Sequence, residues 1–210
     1  MFDAVIIDVD GTLWDATARA AESWQATCQR LGVPAHHITQ ERLMKEFGKT
    51  LEDIGYSLFP DLPKKESVRI LDQCCTDELD YLRANHPDFY PEIREVLSSL
   101  ASRLPVFIVS NCQAGYIEAM METAGIEAII TDHLCPGDTG EAKAANLLRL
   151  AEKYDLKNAA YVGDTMGDYN AVREAGMYFI FASYGYGSVP EPDAVIDCPR
   201  ALLDHPEIPE

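Results

Sequence analysis

From residue 90 onward the chain alternates short apolar runs with amphipathic stretches, and this pattern constrains the fold more than any other feature. Pro105–Val109, Ala159–Val162 and Met177–Phe181 are runs of four or five mostly apolar residues. Stretches of helical periodicity separate them, over 91–102, 115–124, 141–154 and 169–175. Gly125 and Gly176 stand where two of these helices should end. A shorter run, Ala128–Ile130, and a last one, Ala194–Ile196, read as further strands, and Phe2–Val9 reads as the first. Strands this uniformly apolar are buried on both faces, and their alternation with helices builds parallel βαβ units.

The segment 15–86 breaks the pattern. Asp15–Leu31 carries five alanines and stops at Gly32 and Pro34; two short amphipathic pieces flank Gly48; a longer helix over 64–85 opens after Pro63 and closes before Pro87. No convincing strand falls within it. The expected fold is therefore α/β, a Rossmann-like, doubly wound parallel sheet formed by 1–14 and 87–210, with 15–86 inserted as an all-helical cap domain. The crossings near 14–16 and 85–90 are the expected hinges.

Charge narrows the partners. The 210 residues carry 17 basic and 35 acidic side chains, a formal net charge of −18. The excess is uneven: nine basic and twelve acidic residues in 15–86 give −3, while eight and twenty-three elsewhere give −15. Nucleic acids and anionic membrane surfaces bind through Lys and Arg, so neither is an expected partner. No apolar run reaches the ~20 residues that span a bilayer, and no basic, apolar leader opens the chain. The six cysteines form no C-x-x-C pair, and Cys74 and Cys75 are adjacent. The expectation is a cytoplasmic protein with reduced, mostly buried thiols. A monomer and a homodimer both fit the sequence.

In an open parallel sheet ligands bind beyond the carboxyl ends of the strands, and here those ends are acidic. The first strand runs into Asp8-Val9-Asp10-Gly11-Thr12, the 105–109 strand into Ser110-Asn111, and the 159–162 strand into Gly163-Asp164-Thr165-Met166-Gly167-Asp168. Lys143 lies early in the helix between the last two. Asp8, Asp10, Asp164 and Asp168 cannot all ionise close together without a counter-charge. A hard divalent cation with oxygen ligands answers this, and Mg²⁺ suits a site that also holds phosphate oxygens. Metal and lysine together make a clamp for a phosphoryl group.

The set Asp8-x-Asp10-Gly11-Thr12-Leu13, Ser110, Lys143 and Gly163-Asp164-Thr165-x-x-Asp168 resembles, in order and placement, the four motifs of the haloacid dehalogenase-like superfamily in its phosphatase branch. The likeness covers essentially the whole chain. The stretch Ser183-Tyr184-Gly185-Tyr186-Gly187, followed by Ala194-Val195-Ile196-Asp197, resembles the phosphoglycolate phosphatase-like subgroup. The resemblance implies that Asp8 is a nucleophile forming an aspartyl-phosphate, and that Asp10 is the general acid and base. It implies that Asp8, the Asp10 carbonyl and Asp164 ligate Mg²⁺, with Asp168 holding a metal water or orienting Lys143, and that Ser110 binds a phosphoryl oxygen. Gly11 is expected to allow the turn that brings Asp8 and Asp10 to one site. Asp10 points to an oxygen leaving group, because expelling a halide needs no proton. One departure is Ala144, where many relatives have proline after the lysine.

Substrate contacts are expected from Thr12, Asn111 and Lys49, the last at the break Phe47-Gly48-Lys49-Thr50. Asn111 also suits a helix cap, Trp14 a core position, and Tyr184 and Tyr186 the border of the site. The function expected is Mg²⁺-dependent hydrolysis of a small phosphomonoester, phosphoglycolate-like or a sugar phosphate. A phosphomutase on the same scaffold, or a catalytically idle protein that binds a phosphorylated ligand, is the alternative.

Overall fold

A computed structural model describes residues 1–209 of the chain. Its centre is a six-stranded, wholly parallel sheet of β1 (Ala4–Ile7), β4 (Val106–Val109), β5 (Asp132–Leu134), β6 (Ala159–Gly163), β7 (Tyr178–Ala182) and β8 (Ala194–Ile196), in the order β5-β4-β1-β6-β7-β8. Ile6 lies between Phe107 on one side and Tyr161 on the other, so β1 occupies the position where the winding reverses direction.

Alternate residues of each strand face opposite layers. Val5, Ile7, Val106, Ile108 and Val162 pack under α5 (Ile93–Ala101) and α6 (Tyr116–Ala124). Ala4, Ile6, Phe107, Val109 and Phe179 pack under α8 (Lys143–Tyr154) and α9 (Met166–Ala175). The helices α1 (Thr17–Leu31), α2 (Gln40–Leu43), α3 (Leu51–Leu58) and α4 (Lys64–Ala84) enclose a separate cluster around Trp24, Cys28, Ile54, Leu71 and Cys74. All six cysteines are free, and five are buried. Among the described residues no helix is long and apolar enough to cross a membrane.

Two features depart from the sequence expectation. The apolar triplet 128–130 lies in a turn, and the edge strand is Asp132–Leu134, paired through Phe107 and Asp132. An edge strand needs less apolar character than a central one, so hydropathy pointed to the wrong residues. The crossings into and out of the helical layer pair with each other: β2 (Trp14–Asp15) runs antiparallel to β3 (Asp88–Phe89), with Trp14 opposite Phe89. Two-residue strands carry too little pattern to be seen in a sequence. A one-turn helix, α7 (Pro136–Thr139), and a 3₁₀ helix, Pro199–Asp204, complete the chain.

Candidate active site

The site lies beyond the carboxyl ends of β1, β4 and β6. Asp8 follows β1 directly and is 1 % exposed. The chain then turns at Gly11, whose φ of +79° suits glycine, and where a Cβ would run into the Asp164 carboxylate. Trp14 closes the turn: its backbone carbonyl accepts from the Gly11 N–H at 3.0 Å, and its indole Nε1 donates to Asp10 Oδ1 at 3.1 Å. The Tyr116 hydroxyl donates to the same oxygen at 2.8 Å. Burial pushes Asp10 well above the ordinary carboxylate range, opposed by the Tyr116 hydrogen bond and reinforced by the charges of Asp8 and Glu78.

Lys143 is the first residue of α8, where a cation opposes the helix dipole. Carboxylates fix it there. Its Nζ donates to Asp8 Oδ1 at 2.9 Å, to Asp168 Oδ1 at 2.5 Å and to the Tyr161 hydroxyl at 3.0 Å. Burial would discharge the ammonium, but Asp168 and Asp8 outweigh it and hold its pKa above the usual lysine value. Asp8 is pushed up to about 6, by burial first and the Asp168 charge second, with Lys143 and the Ser110 hydroxyl pulling down.

Asp168 is satisfied on both oxygens. Oδ2 accepts from the Thr165 N–H at 2.9 Å and the Thr165 hydroxyl at 2.6 Å, and Thr165 in turn accepts from the Asp168 N–H, a reciprocal cap at the start of α9. Burial opposes its ionisation, yet Lys143 and Thr165 hold its pKa below the usual value. Asp168 therefore orients Lys143.

Asp164 is the opposite case. The Tyr186 N–H donates to Oδ2 at 2.6 Å, while Oδ1 is buried with no hydrogen-bond partner among the described residues. Burial and the charges of Asp168 and Asp8 push it well up. One carboxylate oxygen from each of Asp8, Asp164 and Asp168 lies within 4.8 Å of the others. The orphaned oxygen of Asp164 beside Asp8 fits a hard divalent cation, with Asp168, both oxygens already accepting, behind them. The Asp10 side chain is turned away from this cluster, toward Trp14 and Tyr116.

A narrow cleft of about 30 Å³ lies against Asp8, Asp10 and Ser110 and is covered by the helical layer. Asn111 lines it and donates from Nδ2 to the Gly48 carbonyl at 3.0 Å, so it ties core to helical layer; the cap of α6 is Gly115 instead. Thr12 faces away: its side chain is 1 % exposed beside Ile7, Leu13 and Ile93. Lys49 also stays outside the cleft, paired with Glu46 at 2.7 Å, and borders the more open groove beside Lys143. Tyr184 bonds the Thr12 carbonyl at 3.1 Å and Tyr186 bonds Asp15 at 2.8 Å, bracing the turn after β1.

Sequence reasoning missed Tyr161, Glu78, Gln113 and Tyr116. Tyr161 looks like one more apolar strand residue, yet its hydroxyl donates to the Val109 carbonyl at 2.7 Å and meets Lys143. Glu78 carried a usable signal: it falls in the buried stripe Ser67, Leu71, Cys74, Glu78, Leu82 of α4, where an acid is out of place.

Residues 5–182 match the family model described as haloacid dehalogenase-like hydrolase. The phosphoglycolate phosphatase of Chromobacterium violaceum is 28 % identical over 200 residues, covering 87 % of this chain and 86 % of its own. That of Agrobacterium fabrum is 27 % identical over 212 residues, covering 94 % and 89 %. A haloacid dehalogenase-like family hydrolase from Streptococcus pneumoniae superposes with a TM-score of 0.81 at 21 % identity, covering 97 % of this chain and 98 % of that one. A hydrolase of the same superfamily from Geobacter sulfurreducens gives 0.72 at 18 %, covering 97 % and 95 %. The last two likenesses concern the fold. The chain belongs to the haloacid dehalogenase-like hydrolase family, as a hydrolase of its phosphatase branch.

Proposed function

We propose that the protein is a Mg²⁺-dependent phosphatase that hydrolyses a small phosphomonoester through a phosphoryl group carried on Asp8. The observation that carries this reading is the division of labour between two carboxylates two residues apart. Lys143 orients Asp8. Trp14 and Tyr116 hold Asp10 apart, in surroundings that favour its protonated form. Separated environments of this kind support the roles of nucleophile and acid.

In the first half-reaction an Asp8 oxygen bonds to phosphorus while the ester P–O bond breaks, and the Asp10 proton passes to the departing alkoxide. In the second, Asp10 as carboxylate takes a proton from water; the water oxygen bonds to phosphorus and the Asp8–phosphorus bond breaks. Phosphate leaves and both carboxyl groups return to their starting states. Lys143 holds Asp8 in line and offsets negative charge throughout, and Ser110 donates to a phosphoryl oxygen. Bound by Asp8, Asp164 and the Asp10 carbonyl, Mg²⁺ would supply the further positive charge that lets a dianionic ester approach three buried carboxylates.

The helical segment 15–86 acts as a cap over 1–14 and 87–210 in this reading. Its Gly48 carbonyl rests on Asn111, and Gly48 itself on Thr165. The β2–β3 ribbon is the hinge, since both crossings of the chain pass through it. The names of the relatives make phosphoglycolate the first ester to examine. Purified protein is expected to release p-nitrophenol from p-nitrophenyl phosphate in Mg²⁺, to stop in EDTA and to recover on adding Mg²⁺. Undiminished turnover in EDTA would contradict the metal site.

A further inference from the structure

Away from the phosphoryl site, three side chains from successive elements converge at the edge of the sheet. Glu118 stands in the first turn of α6, His133 is the middle residue of β5, and Asp138 lies in α7. One ligand atom from each lies within 4.8 Å of the others. Polar groups gathered this closely ordinarily pair, and these do not. Glu118 Oε2 and His133 Nδ1 are buried from water and have no hydrogen-bond partner among the described residues. Among the described residues no lysine or arginine forms an ion pair with Glu118 or Asp138. The Cys135 thiol donates to Asp138 Oδ2 at 3.1 Å and positions that carboxylate. Each unpaired buried polar atom is a loss of stability, and two of them belong to one cluster.

We infer that Glu118, His133 and Asp138 form a binding site for a divalent transition-metal ion of the Zn²⁺ type, separate from the phosphoryl centre. The donor set selects the ion. Mg²⁺ and Ca²⁺ take oxygen ligands, whereas one imidazole with two carboxylates suits a borderline cation. Three protein donors leave the fourth tetrahedral position to water, and the exposed Asp138 gives the ion a way in. Metal–ligand distances of about 2.0–2.2 Å require the donors to draw closer together, which rotation of that exposed side chain allows. The ion would fasten what packing leaves loose. β5 is the edge strand, none of its three residues is fully buried, and α7 buries no side chain. Glu118, by contrast, projects from a helix whose neighbouring Ile117, Ala119 and Met120 are all buried. Binding to the folded chain alone would therefore stabilise it, by tying β5 and α7 to α6.

The test uses protein stripped with EDTA, returned to millimolar Mg²⁺ and dialysed against micromolar Zn²⁺, with bound zinc counted by atomic emission and the melting temperature followed in parallel. Asp164→Asn is included throughout, because it weakens any binding at the phosphoryl centre. Wild type and Asp164→Asn are both expected to retain about one Zn²⁺ per chain at this cluster and to melt higher with zinc than without. Loss of an outer partner of a metal ligand already costs ~10–100-fold in affinity, so His133→Gln and Asp138→Asn are each expected to weaken zinc binding by at least ~10-fold and to lose the rise in melting temperature. Asp138 is exposed, so its variant keeps the fold even if His133→Gln does not. Zinc held equally well by both variants would overturn the inference. So would zinc lost in Asp164→Asn but kept in His133→Gln, which would place the ion among the phosphoryl-site carboxylates, and so would failure of wild type to retain zinc at all. None of these results depends on the phosphatase reading, which hydrolysis of p-nitrophenyl phosphate tests separately.

Discussion

At the scale of single residues, burial and pairing decide which carboxylate does what. Asp168 has both oxygens occupied and serves as a fixed support, while Asp164 keeps one oxygen free for a ligand. Asp10 differs from both because its partners, Trp14 and Tyr116, are neutral donors that fix its position, while burial outweighs them and favours its protonated form. Asp10→Asn keeps the size and both donors' geometry and removes the transferable proton. Its kcat/KM is expected to fall by ~10²–10⁴-fold on an alkyl phosphate and far less on p-nitrophenyl phosphate, whose leaving group needs little protonation. Equal losses on the two esters would remove Asp10 from the acid role. Asp8, Ser110, Asp164 and Asp168 were legible in the sequence because polar residues interrupt apolar strands at their ends, and Lys143 by its place at the start of a helix in the resembling motif set. Tyr161 was not, since it sits inside an apolar strand pattern that a sequence shows as packing, whereas Glu78 left a signal, an acid in the buried stripe of α4. Lys49 shows how a local pair can redirect an expected contact. A cation beside a helix break is conspicuous, yet Glu46, 3 % exposed, claims it.

At the scale of elements, the site is a meeting of loops held by their helices. Lys143 opens α8, the Thr165–Asp168 pair opens α9, and the Gly48 break between α2 and α3 descends onto both Asn111 and Thr165. Gly48 has a φ of +88°, and a Cβ there would come within 2.7 Å of Thr165 Cγ2. Gly48→Ala thus adds both backbone strain, of order 1–3 kcal/mol, and a clash at the contact that closes the cleft. The expected outcome is a drop of about tenfold in kcat/KM with a lowered melting temperature, because parting of the layers relieves the clash with Thr165 but not the positive φ. An unchanged kcat/KM would show that this contact does not form during turnover. The helices and central strands were readable from periodicity and from Gly and Pro stops. The edge strand β5 and the β2–β3 ribbon escaped because one is half polar and the other is two residues long.

At the scale of the molecule, a net charge of −18 and a phosphate substrate are compatible only through local charge. The 15–86 segment carries −3 of the excess and the remainder −15, and four of those remaining acids are Asp8, Asp10, Asp164 and Asp168. Lys143 and a divalent cation would reverse the field over the few ångströms where it matters, while the remaining acidity favours solubility and disfavours polyanions. On the proposed reading the whole arrangement has one chemical consequence, a phosphoryl group on Asp8. Rapid quenching of wild-type protein during turnover of ³²P-labelled ester, followed by peptide mapping, should place an acid-stable, hydroxylamine-labile label on the peptide containing Asp8. Asp8→Asn should acquire none and should lose at least ~10³-fold in turnover, or about 4 kcal/mol of transition-state stabilisation. A label on another residue, or an Asp8→Asn protein that turns over at the wild-type rate, would contradict the account.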